Sequence, residues 1–218
     1  MEYINWLGNS GFSFHDNMGN NIYFIDPLEI NQKIKDKADL IFITHAHSDH
    51  FSPKDIDKIL KTESVIVAPP DILEKIDKKN VKISVEPNKE YEAKGFKFWT
   101  FPAYNTHPNR LKFHPKVNNW VGYFFNINGK KIYHAGDTDF IPEMEVLAKW
   151  KIDIAMLPIG GTYTMDALEA AKAANAIGAK ITIPMHYKMQ AREKADQFLE
   201  EFKKMVINSK VLILEELN

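Results

Sequence analysis

The feature that most constrains this chain is a histidine-rich loop that follows a buried strand. The segment His45-Ala46-His47-Ser48-Asp49-His50 holds three of the eight histidines and a carboxylate, and it follows the apolar run Leu40-Ile41-Phe42-Ile43. His45 and His47 are two residues apart, so in an extended segment their side chains point the same way. The final aspartate and histidine of the segment can reach a neighbouring point as the chain turns. This spacing predicts a loop that serves two adjacent metal ions, as in a hydrolytic centre.

Composition narrows the classes of function. The 28 Lys and Arg residues nearly cancel the 29 Asp and Glu residues, and Arg110 and Arg192 are the only arginines. Nucleic-acid surfaces depend on arginine and net positive charge, so we expect no nucleic-acid partner. Because the chain lacks cysteine, any zinc must be held by nitrogen and oxygen ligands, as in a catalytic site. The N-terminus has no apolar signal core and no run is long enough to span a membrane, so we expect a cytoplasmic protein without membrane insertion.

Strands alternate with helices along the chain, which predicts an α/β fold. Ser52-Pro53-Lys54-Asp55 is typical of a helix start. Asn128-Gly129 predicts a hairpin turn, and Gly178 is placed to end a helix over about 165–177. Further predicted elements are a turn at 17–21, helices at about 71–79 and 191–205, and a last strand at 211–214. The two runs of strands predict one domain, 1–218, built from two βα halves (roughly 1–92 and 93–218) with sheets face to face and helices outside.

Other potential ligands follow apolar strands or lie in an irregular segment. Asp137 follows one apolar strand and His186 follows another, and ligands in open α/β folds gather at the carboxyl ends of strands. The proline-rich stretch 102–119 contains His107 and His114, which predicts a loop near the site.

These motifs together resemble those of a known family. H-x-H-x-D-H at 45–50, a later histidine, Gly136-Asp137-Thr138 and His186 after a strand are similar to the motif series of the metallo-β-lactamase superfamily. Phe113-His114-Pro115-Lys116 and Leu157-Pro158-Ile159-Gly160-Gly161 resemble a branch of poorly characterised metal-dependent hydrolases related to the L-ascorbate-6-phosphate lactonases. The resemblance implies a four-layer αβ/βα sandwich with metal ions at one edge of the two sheets.

The resemblance also implies a ligand set of seven residues. His45, His47 and His114 would hold one divalent ion, Asp49, His50 and His186 would hold the second, and Asp137 would bridge the two. His107 is the alternative to His114. Asp26 either orients a ligand imidazole or is simply a turn residue before Pro27. Zinc suits this nitrogen-rich set, and manganese is the alternative.

The predicted function is that of a dinuclear metal-dependent hydrolase. A metal-bridged hydroxide would attack a small, anionic ester, lactone or phosphodiester, with Asp49, His107 and Tyr187 as candidate catalytic residues. The alternatives are an RNA-processing nuclease, a thioester hydrolase of the same superfamily and a catalytically inactive metal-binding protein. Low arginine content weighs against the first, and the lack of a C-terminal helical extension weighs against the second. The intact ligand set weighs against the third. Loops 105–119 and 160–165 would select the substrate, and the many Trp, Phe and Met residues could supply a homo-oligomer interface.

Overall fold

Two mixed β-sheets form the centre of the molecule. The computed structural model describes residues 3–16, 22–188 and 194–217. The first sheet contains, in order, β1 (Ile4–Gly8), β2 (Gly11–His15), β3 (Ile22–Ile25), β4 (Leu40–Phe42), β5 (Val65–Ala68) and β6 (Val81–Ser84). The second contains β7 (Glu90–Ala93), β8 (Phe96–Pro102), β9 (Val121–Ile127), β10 (Lys130–His134), β11 (Ile154–Pro158), β12 (Ile181–Met185) and β13 (Lys210–Val211), also in order.

Both sheets change from antiparallel to parallel pairing along the chain. Strands β1 to β3 are antiparallel, and β3 to β6 are parallel. In the second sheet β7 to β10 are antiparallel, and β10 to β13 are parallel. The parallel part of each sheet therefore gathers the carboxyl ends of its strands at one edge.

The α-helices of the described residues are α1 (Pro53–Ile59), α2 (Pro70–Leu73), α3 (Ala167–Ile177) and α4 (Ala195–Met205). The predicted caps are present, since the Ser52 side chain accepts from the Asp55 amide and Gly178 ends α3 with a left-handed conformation. Helix α2 is shorter than predicted because Pro69 offers no side-chain cap and the chain continues in turns. The predicted turn at 17–21 and the first residues of the predicted helix, 191–193, lie outside the described residues.

Two elements differ from the prediction near the second sheet. A 3₁₀ helix, Pro142–Trp150, precedes β11 and was not predicted. The last strand is Lys210–Val211 instead of 211–214, because the chain then leaves β12 and reaches the first sheet, where Glu216 forms a bridge with Trp6.

The packing of the core residues shows how the layers of sheets and helices are arranged. In β4 the side chains of Leu40 and Phe42 pack between the two sheets, whereas Ile41 packs on the other face against α1 and α2. The face between the sheets is aromatic, with the Phe42 ring in edge-to-face contact with Phe98 and Tyr123. Helix α3 covers the outer face of the second sheet. The result is the four-layer αβ/βα sandwich that the resemblance implied.

None of the described helices has the length and apolar character needed to cross a bilayer.

Candidate metal centre

The predicted ligands meet where the parallel strands of both sheets end. Asp26 follows β3, His45 lies three residues after β4, Asp137 follows β10, and His186 follows β12. Asp26 and His186 have positive φ values of 43° and 56°, which are uncommon for residues with a side chain. The sharp turns at these strand ends direct side chains from both sheets toward one point, and strained conformations of this kind cluster at functional sites.

The first group of ligand atoms belongs to His45, His47 and His114. His45 Nε2 lies 3.1 Å from His47 Nδ1, and His114 Nε2 lies 3.4 Å from Asp137 Oδ2. Two nitrogens bound to one tetrahedral zinc ion would be separated by about 3.3 Å, given bonds of about 2.0–2.1 Å. The spacing of these atoms therefore suits ligands of one shared ion.

The second group of ligand atoms belongs to Asp49, His50 and His186. His186 Nε2 lies 3.1 Å and His50 Nε2 lies 3.7 Å from Asp49 Oδ2. Asp137 stands between the two groups, with Oδ1 3.3 Å from His50 Nε2 and Oδ2 3.0 Å from His186 Nε2. Oδ2 is also 3.8 Å from His45 Nε2, so the Asp137 carboxylate contacts members of both groups.

Several of these buried atoms lack a hydrogen bond. Among the described residues, His50 Nε2, His114 Nε2 and Asp137 Oδ1 are buried and have no hydrogen-bond partner. Buried polar atoms in native proteins are nearly always satisfied, so these three call for another partner. Imidazole nitrogens and a carboxylate oxygen are ligands for divalent metal ions. The residues therefore fit a metal ion.

Asp26 orients two of the imidazoles. The Thr44 hydroxyl donates its single hydrogen to Asp26 Oδ2 at 2.6 Å, so it must accept from His45 Nδ1 at 2.9 Å. His50 Nδ1 lies 2.8 Å from the same carboxylate oxygen and donates to it. In the neutral form of both histidines the proton therefore lies on Nδ1, and Nε2, which points into the site, is the nitrogen left to bind a metal ion. Asp26 is close enough to His45 and His50 to be a ligand itself, but its oxygens already accept these hydrogen bonds, which favours the orienting role.

Asn105 orients His114 in a similar way. Its Nδ2 donates to Asp139 Oδ1 at 2.9 Å and to the Tyr163 carbonyl at 3.1 Å, which fixes the direction of the amide. Asn105 Oδ1 must then accept from His114 Nδ1 at 2.7 Å, leaving Nε2 unprotonated. Asp139 is buried and forms an ion pair with Arg110, with Nε and Oδ1 2.8 Å apart.

The electrostatics of the protein without metal divide the ligands into two kinds. Burial and the nearby His50 lower the pKa of His45, and burial and His114 lower the pKa of His47, so both are neutral. Burial opposes charge on His50, but Asp137 and Asp26 raise its pKa well above the usual value. Burial likewise opposes charge on Asp137, but His186 and His50 hold its pKa well below the usual value. Asp137 is therefore ionised near neutral pH.

Comparison with known proteins decides the family. Residues 3–186 match the model of the β-lactamase superfamily domain. A UPF0173 metal-dependent hydrolase from Thermococcus onnurineus is 36% identical, over 99% of this chain and 97% of its own. The chain belongs to the metallo-β-lactamase superfamily. It is a metal-dependent hydrolase of the UPF0173 family. This confirms the predicted family and enzyme class.

Solved structures of similar chains support the same fold. The structure of a candidate metal-dependent hydrolase from Parabacteroides distasonis has a TM-score of 0.84 at 33% identity, covering 98% of this chain and 92% of that one. A metallo hydrolase from Ignicoccus hospitalis, Igni18, shares the fold with a TM-score of 0.76 at 24% identity, covering 97% of this chain and 94% of that one. The predicted relation to the L-ascorbate-6-phosphate lactonases stays a prediction.

A cavity opens beside the candidate ligands. It has a volume of about 380 Å³ and is lined by His47, Ser48, Asp49, Phe113, Asp137, Tyr163 and His186. The segments 105–119 and 160–165, which were predicted to select the substrate, contribute Phe113 and Tyr163 to this lining, respectively.

Two of the candidate catalytic residues lie elsewhere. His107 is exposed, and His114 takes the place beside His45 and His47. Tyr187 is buried, with its ring stacked on Trp6 at 6.0 Å between centroids, and it does not line the cavity. Roles for His107 and Tyr187 in protonating the leaving group stay predictions.

The hydrolase also has supporting residues that sequence reasoning missed. Asn105, Thr44 and Asp139 carry no motif of their own, although Asp139 follows the Gly-Asp-Thr turn closely. Trp120 packs against His45, His47 and His114, with ring centroids 5.1, 5.0 and 5.8 Å away. Its Nε1 donates to Asp71 Oδ2 at 3.0 Å. The sequence feature that could have identified Trp120 is its position at the start of a strand, directly after the irregular segment 102–119.

Proposed function

We propose that this hydrolase works with two divalent metal ions and cleaves a small, anionic ester, lactone or phosphodiester. The observation that carries the proposal is the pair of ligand groups, His45–His47–His114 and Asp49–His50–His186, with the Asp137 carboxylate between them. One ion would be held by each group, and Asp137 would contact both.

The chemistry follows from the charges of the ligand set. Two bound divalent cations act as Lewis acids and lower the pKa of a water ligand toward neutrality. With neutral histidines, Asp49 and Asp137 contribute two negative charges against four positive ones, so the loaded site carries a net charge of about +2. This charge attracts an anionic substrate and stabilises negative charge that develops on a carbonyl or phosphoryl oxygen.

The nitrogen-rich ligand set favours zinc, and the two carboxylates also suit manganese. The Nδ1 atoms of His45, His50 and His114 donate hydrogen bonds to Thr44, Asp26 and Asn105, respectively, which supports direct ligation through Nε2 of each ring. The protein thus fixes the orientation of these imidazoles before an ion arrives, and His50 gives up its second proton when the ion binds.

Metal content and turnover test the proposal together. We expect about two ions per chain after reconstitution with zinc or manganese, and hydrolysis of an activated phosphodiester or a sugar lactone. Asp137→Asn should lose the second ion and most of the activity, because its amide nitrogen cannot serve as a ligand.

The alternatives give different outcomes. Two ions without turnover of any ester, lactone or phosphodiester would favour a metal-binding protein that has lost catalysis. A single ion, with full activity retained in Asp137→Asn, would contradict the dinuclear centre. Kinetics of Tyr187→Phe and His107→Ala test the two leaving-group predictions, since an unchanged turnover number removes either residue from that role.

A further inference from the structure

Two aromatic side chains form one wall of the active-site cavity. Phe113 and Tyr163 are the aromatic members of its lining, together with Ser48 and four of the predicted metal ligands. We propose that this pair, here named the aromatic wall, binds a flat, uncharged ring of the substrate while the anionic reacting group is held at the metal ions. This inference rests on the proposed function and specifies the substrate class as an aryl or similarly flat apolar ester or phosphodiester.

The position of the wall is tied to the metal centre by short covalent and hydrogen-bonded links. Phe113 directly precedes His114, whose Nε2 is 3.4 Å from Asp137. The Tyr163 carbonyl accepts a hydrogen bond from Asn105 Nδ2 at 3.1 Å, and Asn105 Oδ1 accepts from His114 Nδ1 at 2.7 Å. Both halves of the wall are therefore fixed to the same ligand histidine.

The two rings already form a geometry that suits a third ring. Their centroids are 4.7 Å apart and their planes are inclined by 84°, which is an edge-to-face pair. Tyr163 remains 40% exposed, although Thr164 beside it is fully buried. Its ring is therefore directed away from the core, and it leaves apolar surface facing the cavity. Aromatic ligands gain both buried area and favourable ring geometry against such a pair.

The wall also differs from the other aromatic residues near the ligands. Trp120 packs behind three ligand imidazoles and is buried, so its ring supports the site from inside. Tyr104 is buried, and its hydroxyl contacts Glu143 at 2.9 Å in a separate small cavity. Of these aromatic residues, Phe113 and Tyr163 are the ones that line the cavity and are placed to contact a substrate.

Two phosphonates of equal headgroup test the wall without requiring turnover. At a pH where both are dianions, phenylphosphonate and methylphosphonate offer the same charge to the metal ions and differ in the ring. Isothermal titration of the metal-loaded protein should give phenylphosphonate a dissociation constant about tenfold lower than that of methylphosphonate. In Phe113→Ala and in Tyr163→Ala this preference should fall to about twofold, with metal content measured for each protein.

Conservative and neighbouring variants complete the test. Tyr163→Phe keeps the ring and should retain the preference, as should Leu111→Ala, an exposed residue of the same loop outside the cavity lining. Equal binding of the two phosphonates by the wild-type protein overturns the wall but leaves the hydrolase proposal intact. A preference that survives in both alanine variants also overturns it. Failure of the loaded protein to bind either phosphonate contradicts the proposed anion site and the wall with it.

Discussion

Asn105 is the side chain whose hydrogen bond orients His114. Its amide is fixed by donation to Asp139 and to the Tyr163 carbonyl, and its oxygen accepts from His114 Nδ1 at 2.7 Å. Asn105→Ala should therefore weaken metal binding at the His45–His47–His114 group by about 10- to 100-fold, the usual effect of losing the partner of a ligand histidine. Competition with a metal chelator measures this affinity. Asn109→Ala, in the same loop and exposed, is the control and should bind both ions normally.

Thr44 gives an independent test of how the first ligand group is oriented. Its hydroxyl donates to Asp26 Oδ2 and accepts from His45 Nδ1. Thr44→Val preserves the shape of the side chain but removes both hydrogen bonds, so His45 loses the partner that fixes its tautomer. We expect metal affinity to fall by about tenfold or more, with the change again in the first ligand group. Wild-type affinity in this variant would show that Thr44 does not orient His45.

Single residues also show where sequence reasoning stops. The order of histidines along the chain leaves His107 and His114 as alternatives, because both lie in the irregular segment 102–119. In the structure the Asp139 carboxylate accepts from the amides of Thr106 and His107 at 2.7 and 2.8 Å. This contact holds the backbone there and leaves the His107 side chain exposed. The placement of His107 therefore depends on a carboxylate that is 32 residues away in sequence. The local spacing of the histidines could not distinguish His107 from His114.

At the scale of elements, the turn after β10 positions Asp137. Gly136 has a φ of +64°, and a Cβ there would lie 2.9 Å from the Val121 carbonyl oxygen. Gly136→Ala should lower the free energy of unfolding by about 1–2 kcal/mol for the left-handed conformation, and by about 1–3 kcal/mol more for the contact. It should also displace Asp137 and so reduce metal content. Denaturant unfolding and metal analysis measure the two effects.

Gly129 provides the matched control for that prediction. It begins the same strand region from the hairpin side, with a φ of +72°, but a Cβ there meets nothing within 4 Å. Gly129→Ala should therefore lose about 1–2 kcal/mol for the conformation alone and keep its full metal content. If both variants lost metal equally, general destabilisation rather than the Asp137 turn would explain the loss.

Elements were predictable where local chemistry fixes their ends. Ser52 and Gly178 mark helix termini through a capping hydrogen bond and a left-handed conformation, which are local properties. Strands β6 and β7 were missed because they lie at sheet edges and are partly exposed, so neither shows a buried apolar run. The 3₁₀ helix Pro142–Trp150 was missed because only Met144 and Leu147 are buried within it. Two buried positions define no helical period.

At the scale of the whole molecule, the two sheets carry the fold and their common edge carries the site. The family motifs predicted this division because most of them lie just after a strand, and a sandwich brings such strand ends together. The supporting residues were beyond that reasoning. Asn105 acts through its hydrogen bond to His114, nine residues later in the same loop. Trp120 donates a hydrogen bond to Asp71 of helix α2, which belongs to the layer outside the first sheet.

Removal of the metal ions tests how far the fold depends on the site. Most buried apolar side chains lie between the two sheets or under the helices, so the chelated protein should remain folded. An ion bound at about 1,000 times its dissociation constant stabilises the native state by about 4 kcal/mol. We expect chelation to lower the melting temperature by roughly 10 °C. Loss of sheet structure on chelation, measured by circular dichroism, would show that the fold requires the ions.

The pH dependence of that metal effect follows from two ligand histidines. Burial opposes charge on His50 and His186, but Asp137 raises the pKa of both in the metal-free protein. Their contribution to metal-free stability is complete below the unfolded pKa of about 6.5 and is lost as pH rises through the raised values. Metal binding requires the unprotonated imidazoles and strengthens over the same range. The difference in melting temperature between loaded and chelated protein should therefore be larger at about pH 8 than at about pH 6. A constant difference would show that these histidines do not exchange their protons for a metal ion.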